Sequence, residues 1–235
     1  MEDDQTAGAE IDSKRPSSRR NPLALMVLCT LWEQPTHPYQ LVQILKGRQK
    51  DKSARLNYGS LYTVIANLER TRLIEAVEVT QVGNLPPRTT YKVTPAGITE
   101  LTNWLSDLIR RPEPEIPHFM TALSLLPALP VDRAVELLRQ RIATLEQTLA
   151  DTARRREQAR QAIPELLYIE SSYQVALTEA ELDFTRNLVT RIENGTLSGV
   201  AAWHVIQQSL NDGRPNYQAS VDAFAAEGFP VVPNE

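Results

Sequence analysis

Residues 57–74 read N-Y-G-S-L-Y-T-V-I-A-N-L-E-R-T-R-L-I. Leu61, Val64, Ile65 and Leu68 recur at three- and four-residue steps, which puts them on one stripe of a helix. The other side carries Ser60, Tyr62, Thr63, Asn67 and Arg70. A helix that only has to stay soluble usually shows Glu and Lys there. Short hydrogen-bonding side chains with a Tyr and an Arg suit a helix that enters a DNA major groove, which is about one helix wide. Taken alone, the stretch also reads as an ordinary amphipathic helix, and the segments on either side decide.

Upstream, Asn21-Pro22 is a helix start, with Asn as cap and Pro at the first helical position. This helix is expected to run to about Glu33. Leu25 and Leu28 make it apolar nearly all round, as a central core helix would be, and Cys29 within it reads as a buried, inert thiol. Q-P-T-H-P ends it. A second helix is expected from Pro38 to Lys46-Gly47, with Tyr39, Leu41, Val42, Ile44 and Leu45 as its apolar positions. The connection to the third helix is crowded with Lys46, Arg48, Lys50, Lys52 and Arg55, which serve either phosphate contact or loop solubility. Asn57 or Gly59 should lie near the third helix's cap.

Downstream, strand-like E-V-E-V, the loop V-G-N-L-P-P-R and the strand T-T-Y-K-V-T make a β-hairpin. Three helices followed by a hairpin is the order of a winged helix-turn-helix, with the hairpin as wing and Arg88 and Lys92 as its phosphate contacts. Thr94-Pro95 then opens a helix with Ile98, Leu101, Leu105 and Leu108 on one stripe. R-P-E-P-E-I-P ends it, because such a density of proline cannot continue a helix.

The second half reads as helix throughout. Leu138, Ile142, Leu145, Leu149, Thr152, Arg156, Ala159 and Ile163 follow alternating steps of four and three, a heptad seam weakened at Thr152 and Arg156. Pro164 interrupts it. A second long helix carries Leu166, Ile169, Tyr173, Leu177, Ala180, Phe184, Leu188 and Ile192, and a shorter one Val200, Trp203, Ile206 and Leu210. Long helices with one apolar seam commonly find a partner chain, although this seam can also close as a hairpin about Pro164. Leu138, Ile142, Leu145, Leu149, Tyr173, Leu177, Phe184 and Trp203 are the candidate dimer interface.

The expected fold class is therefore mainly α with a small β-hairpin wing. Residues 1–20 form a flexible tail with a basic end. Residues 21–112 form a winged helix-turn-helix DNA-binding domain, 113–212 a helical dimerisation domain, and 213–235 a second flexible tail. Lys14, Arg15, Arg19 and Arg20 precede the first helix, where such an arm can follow the DNA backbone or minor groove. Charge is divided in the same way: residues 22–112 hold 11 Lys and Arg against 7 Asp and Glu, and residues 113–212 hold 9 against 14. One module is thus suited to phosphate and the other is not.

Several function classes find no support. There is no apolar run of the roughly 18 residues that would span a bilayer, and the single cysteine excludes an internal disulfide framework and fits a reducing cytoplasm. No phosphate-cradling Gly-rich loop, C-x-x-C or paired metal-ligand histidines occur; His37, His118 and His204 are scattered. Neither a metal, a cofactor nor an enzymatic reaction is expected.

Three motifs, in order and spacing, resemble the PadR-type regulators: H-P-Y-Q-L in the second helix, Y-G-S-L-Y-x-x-I-x-x-L-E-x-x-x-L-I across the third, and R-x-x-Y-x-V-T-x-x-G at the second wing strand. The resemblance spans about residues 22–110 and implies a winged-helix transcription factor, homodimeric, commonly a repressor, with a C-terminal helical region that builds the dimer. The long second half is similar to the larger subfamily. The resemblance implies a palindromic double-stranded DNA operator and release by a small-molecule effector. Trp32, Trp104, Trp203, Tyr168 and Tyr173 are the aromatics able to line an effector pocket, or simply core. Carried over, Tyr39 sits on the second helix, Ser60, Tyr62 and Asn67 on or beside the DNA face of the third, and Arg88 in the wing. Together with Asn57, Thr63, Lys92, Arg19 and Arg20 they make up the candidate DNA contacts. Two departures stand out: Thr63 replaces a common Pro, and Arg72 replaces a Gly, which asks Arg72 for a turn geometry that Gly takes more readily. The alternative is a helical dimerisation or adaptor protein whose winged-helix module binds protein rather than DNA.

Overall fold

The computed structural model describes residues 21–48, 50, 57–80, 88–112, 116–212 and 217–229. Residues 1–114 and 115–235 form two compact units.

The first unit contains α1 (Pro22–Glu33), α2 (Pro38–Gly47), α3 (Tyr58–Arg70), β1 (Ile74–Thr80), β2 (Arg88–Val93) and α4 (Pro95–Arg110). Each helix starts on a side-chain cap that satisfies a backbone N–H with no partner inside the helix. Asn21 Oδ1 accepts from Leu23 at 3.0 Å, His37 Nδ1 from Gln40 at 3.2 Å, Asn57 Oδ1 from Ser60 at 2.7 Å and Thr94 Oγ1 from Gly97 at 3.1 Å. Leu61, Val64, Ile65 and Leu68 of α3 close on Leu23, Val27, Leu28 and Leu31 of α1 and on Leu41, Val42 and Leu45 of α2 in one core. α1 is less enclosed than its composition suggests. Cys29 is exposed rather than buried, as is Trp32, because α2, α3 and α4 occupy only the side that carries Leu23, Val27 and Leu31. The Cys29 thiol is nonetheless pushed up by partial burial and by the Glu33 carboxylate, so little thiolate forms near neutral pH.

α3 ends in a Schellman turn. The Leu73 N–H donates to Leu68 O at 2.9 Å and the Arg72 N–H to Glu69 O at 2.8 Å. This requires a left-handed residue, and Arg72 takes that role at φ 58°, so the turn keeps the Gly-type geometry rather than differing here. The left-handed conformation costs a Cβ-bearing residue about 1–2 kcal/mol. Arg72→Gly should recover part of it, raising unfolding stability by about 1 kcal/mol. A chemical-denaturation midpoint that falls in this variant would show that the arginine side chain contributes more than the turn costs.

β1 and β2 pair antiparallel, with Ala76 opposite Tyr91 and Glu78 opposite Thr90, so Val77 bulges out of register. On the other side of β2, Thr36 and Tyr91 exchange two backbone hydrogen bonds of 3.0 Å, fastening the α1–α2 connection to the wing. Lone hairpins are marginal in water. This one is held by that bridge and by Ile74, which is buried in the core.

The second unit contains α5 (His118–Ser124), a 3-10 turn at Leu126–Ala128, α6 (Val131–Ala162), a second 3-10 turn at Glu165–Leu167, α7 (Ile169–Glu193), α8 (Val200–Asn211) and α9 (Tyr217–Ala226). α6 and α7 lie antiparallel about Pro164: Arg139 pairs with Glu193, Glu146 with Arg186, and Arg156 reaches Ser172. The hairpin reading of the heptad seam therefore holds for α6. Leu138 is buried against Leu188, Val189 and Ile192, Ile142 packs beside it, and Leu145 and Leu149 are half-buried along the same helix. α7 buries only the C-terminal part of the stripe its apolar spacing predicts. Leu188 and Ile192 of that stripe are buried together with Leu182, Thr185 and Val189, while Ile169, Tyr173, Leu177 and Phe184, and Leu166 in the preceding turn, are exposed.

Trp203 is core. It is 5% exposed, and its indole N–H donates to Leu129 O at 2.8 Å. The C-terminal stretch expected to be a flexible tail contains α9. Glu227, just beyond it, caps α8 in place of a local side chain, accepting from the Gly199 N–H at 2.7 Å and the Ala202 N–H at 2.6 Å. Gly199 sits at φ 90° and has no side chain to do this itself.

Candidate nucleic-acid interface

With its apolar stripe sunk in the core, α3 presents Tyr62, Thr63, Ala66, Glu69 and Arg70 outward, and Ser60 and Asn67 at the flanks. Tyr62 is 56% exposed, although an aromatic ring of this size usually finds cover. The Thr63 hydroxyl donates to Gly59 O at 3.0 Å and the Ser60 hydroxyl to Asn57 O at 3.0 Å. Both hydroxyl protons are thus spent on the helix, and what each group offers outward is an acceptor lone pair, suited to the amino edge of adenine or cytosine. Asn67 accepts from the Arg70 guanidinium at 2.5 Å, which fixes its amide orientation along the helix.

Asn57 has a structural task, since its Oδ1 is the α3 cap; its amide NH2 remains as a donor. Tyr39 projects from the first turn of α2 and is 55% exposed, its ring stacked 6.4 Å from that of His37. The H-P-Y motif is thus a cap, a first-turn proline and an exposed aromatic. The wing residues divide. Arg88 is exposed at the start of β2, opposite Thr80. Lys92 faces Glu75 across the hairpin and pairs with it at 2.9 Å, both side chains being exposed. Arg48 is likewise held by both oxygens of Glu33, at 2.9 and 2.6 Å. Arg19, Arg20, Lys52 and Arg55 lie outside the described residues.

Two contributors escape a reading by residue type. Glu75 pairs with Lys92, which only the strand register reveals. Glu69 of α3 acts on Tyr91 of the wing, whose phenol is pushed up by burial and by the nearby Glu69 carboxylate. Among the described residues no group of His, Cys, Asp and Glu is arranged to hold a metal ion, and no helix is long and apolar enough to cross a membrane.

Residues 27–103 match the model of the transcriptional regulator PadR-like family, a segment that runs from α1 into α4. No curated protein matches the chain. Among solved structures, PadR of Bacillus subtilis in complex with operator DNA is similar at 17% identity and a TM-score of 0.60, over 72% of this chain and 96% of that one. The same protein in complex with p-coumaric acid is similar at 16% identity and a TM-score of 0.60, over 73% and 98%. The protein smu.1604c of Streptococcus mutans is similar at 20% identity and a TM-score of 0.54, over 72% and 99%. At these identities the likeness is one of fold, and it extends past the winged helix into the helical second unit.

Proposed function

We propose that this chain, whose winged-helix segment matches the PadR-like regulators, is a sequence-specific DNA-binding transcriptional repressor that works in the cytoplasm as a homodimer and is released by a small, aromatic effector. The observation that carries the DNA reading is the outward face of α3: an exposed Tyr62 beside hydroxyls whose free lone pairs point away from the core. Tyr39, Ser60, Thr63, Asn67 and Arg88 complete the contact set, with the Asn57 amide at the head of the helix. Arg19 and Arg20 extend it along the backbone. Lys92 contributes less, because phosphate must compete with Glu75.

The dimer reading rests on the exposed Tyr173, Leu177 and Phe184 of α7. Leu138, Ile142 and Trp203 pack within the chain, and Leu145 and Leu149 are half-buried along α6, so they support it less. The effector reading draws support from the fold likeness to a regulator solved with p-coumaric acid.

The test is a titration of the protein against its own promoter DNA. Binding should be sequence-specific and should weaken steeply as salt rises, since each neutralised phosphate releases counterions. Absence of specific retardation at low salt would overturn the reading. Tyr62→Ala should lower operator affinity about tenfold, equivalent to ~1.4 kcal/mol, with the oligomeric state unchanged; unaltered affinity would remove Tyr62 from the DNA face.

The adaptor reading is favoured by one feature. β1 carries exposed Glu75, Val77, Glu78 and Val79, a surface better matched to protein than to phosphate. If the chain shows no specific retardation of promoter DNA at low salt, the module serves a protein partner instead.

A further inference from the structure

The α6 seam is broken at Thr152 and Arg156, and α7 closes over both. Thr152 is 4% exposed. Arg156 is half-buried, and one of its guanidinium amino groups donates to Ser172 Oγ on α7 at 2.9 Å. Its Nε–H is buried and, among the described residues, has no acceptor. Arg155, also half-buried, donates to Thr152 Oγ1 at 2.9 Å. Every other arginine of α6 has a carboxylate: Arg133 has Glu136, Arg139 has Glu193, Arg141 has Glu181, Arg154 has Asp151 and Arg160 has Glu157. Among the described residues, Arg155 and Arg156 have only hydroxyl oxygens. Two successive guanidiniums thus lie at a helix–helix seam without a counter-charge, one with an unanswered donor. An apolar residue at 156 would continue the seam, and buried ion-forming groups are commonly replaced by apolar ones without loss of stability.

We propose that this end of the hairpin is an oxyanion site at which Arg155, Arg156 and the Ser172 hydroxyl take the carboxylate of a small organic acid. The Nε and amino edge of a guanidinium matches the two oxygens of a carboxylate side by side. Arg156 Nε is out of reach of solvent, so the acid engages it by drawing the side chain out of the seam, for which its rotatable stem is suited. Along the seam, Thr152 and Ala159 are the neighbours of Arg156, with Leu149 and Ile163 one step further, a setting for an apolar body attached to the carboxylate rather than for bare phosphate. As the effector's place of action the site rests on the regulator reading, but its occupancy does not and is measured without DNA.

Thermal unfolding of the full chain is followed in sodium benzoate, sodium phosphate and sodium chloride at matched ionic strength. Benzoate should raise the melting temperature with the logarithm of its concentration, by ~3–5 °C when well above its dissociation constant, and phosphate and chloride should not. Arg156→Leu without additive should melt at or above the wild-type temperature and show no benzoate response. Arg155→Gln, which leaves the seam intact, should need at least about tenfold more benzoate for the same shift. The proposal is overturned by no benzoate shift in the wild type, by equal shifts in benzoate and phosphate, or by an undiminished shift in Arg156→Leu. A lower melting temperature for Arg156→Leu without additive would overturn it too, making Arg156 a structural contact only. A chain that binds its operator yet ignores benzoate loses this site and keeps the regulator reading.

Discussion

Gly97→Ala is expected to destabilise the winged-helix unit by about 3 kcal/mol or more, a large share of the 5–15 kcal/mol that holds a typical domain together. A Cβ built on Gly97 would stand 2.0 Å from Leu73 O and 2.7 Å from Val93 Cγ2. The first neighbour is backbone, and it is already committed: Leu73 O accepts from the Thr94 N–H at 3.0 Å and from the Thr94 hydroxyl at 3.2 Å. The same hydroxyl donates to Arg72 O at 2.8 Å and accepts from the Gly97 N–H. One threonine and one glycine thus join the end of α3, the end of β2 and the start of α4. Moving Leu73 away to admit a methyl group would pull on the Schellman turn, on β1 beyond it and on the cap of α4 together. Denaturant unfolding should show a lower midpoint with little change in slope. Operator binding should fall with the loss of folded protein, even though Gly97 lies on no proposed DNA contact. A variant as stable as the wild type would mean that α4 can slide on the α3–β1 turn.

This junction explains why the motif R-x-x-Y-x-V-T-x-x-G is readable in the sequence and why its meaning is not. Val93, Thr94 and Gly97 are close in sequence, so their spacing is visible, but the Leu73 carbonyl they enclose lies some twenty residues earlier. The α3 stripe, the caps at Asn21, Asn57 and Thr94, and the strained position of Arg72 all follow from local rules and could be read directly. The pairing of Lys92 with Glu75 is not legible from residue type, because only the hairpin register sets the two opposite each other. The exposure of Cys29 is not legible in the sequence, because an apolar run says nothing about how many sides of a helix find a neighbour.

The packing of α6 on α7 departs in part from the apolar spacing of α7, and periodicity alone does not decide it. α6 has one apolar stripe and α7 claims it. α7 has two usable faces, one through Leu182, Thr185 and Val189 and one through Tyr173, Leu177 and Phe184, with Leu188 and Ile192 near its C-terminal end. The first turned inward together with Leu188 and Ile192. Choosing between them needs the partner helix in place, and spacing carries no information about that. α9 escaped for a related reason: Glu227 caps α8 from 28 residues beyond Gly199, a long-range contact with no local signature.

The bulky face of α7 carries the second large prediction. Leu177→Glu combined with Phe184→Glu should convert the proposed dimer into a folded monomer and weaken operator binding by about two orders of magnitude or more. Leu177 and Phe184 are 53% and 51% exposed, and Tyr173 is 69% exposed, so their replacement opens no cavity in the α6/α7 hairpin. The melting temperature of the monomer should reflect only the lost association. At spacings of four, three and four, Tyr173, Leu177, Ala180 and Phe184 form a seam of the kind that two helices share. A buried Glu on each partner would face its own symmetry mate and bring like charges together. The effect on DNA follows from linkage: once one half-site is bound, the second recognition helix acts at the effective concentration set by the dimer, an advantage on the order of 10²–10⁴ that a monomer lacks. Light scattering gives the mass, and anisotropy on full and half operators gives the coupling. If the double variant remained a dimer with full affinity, α7 would not be the interface. If it became a monomer but bound the full operator unchanged, DNA reading by this chain would not depend on pairing at all.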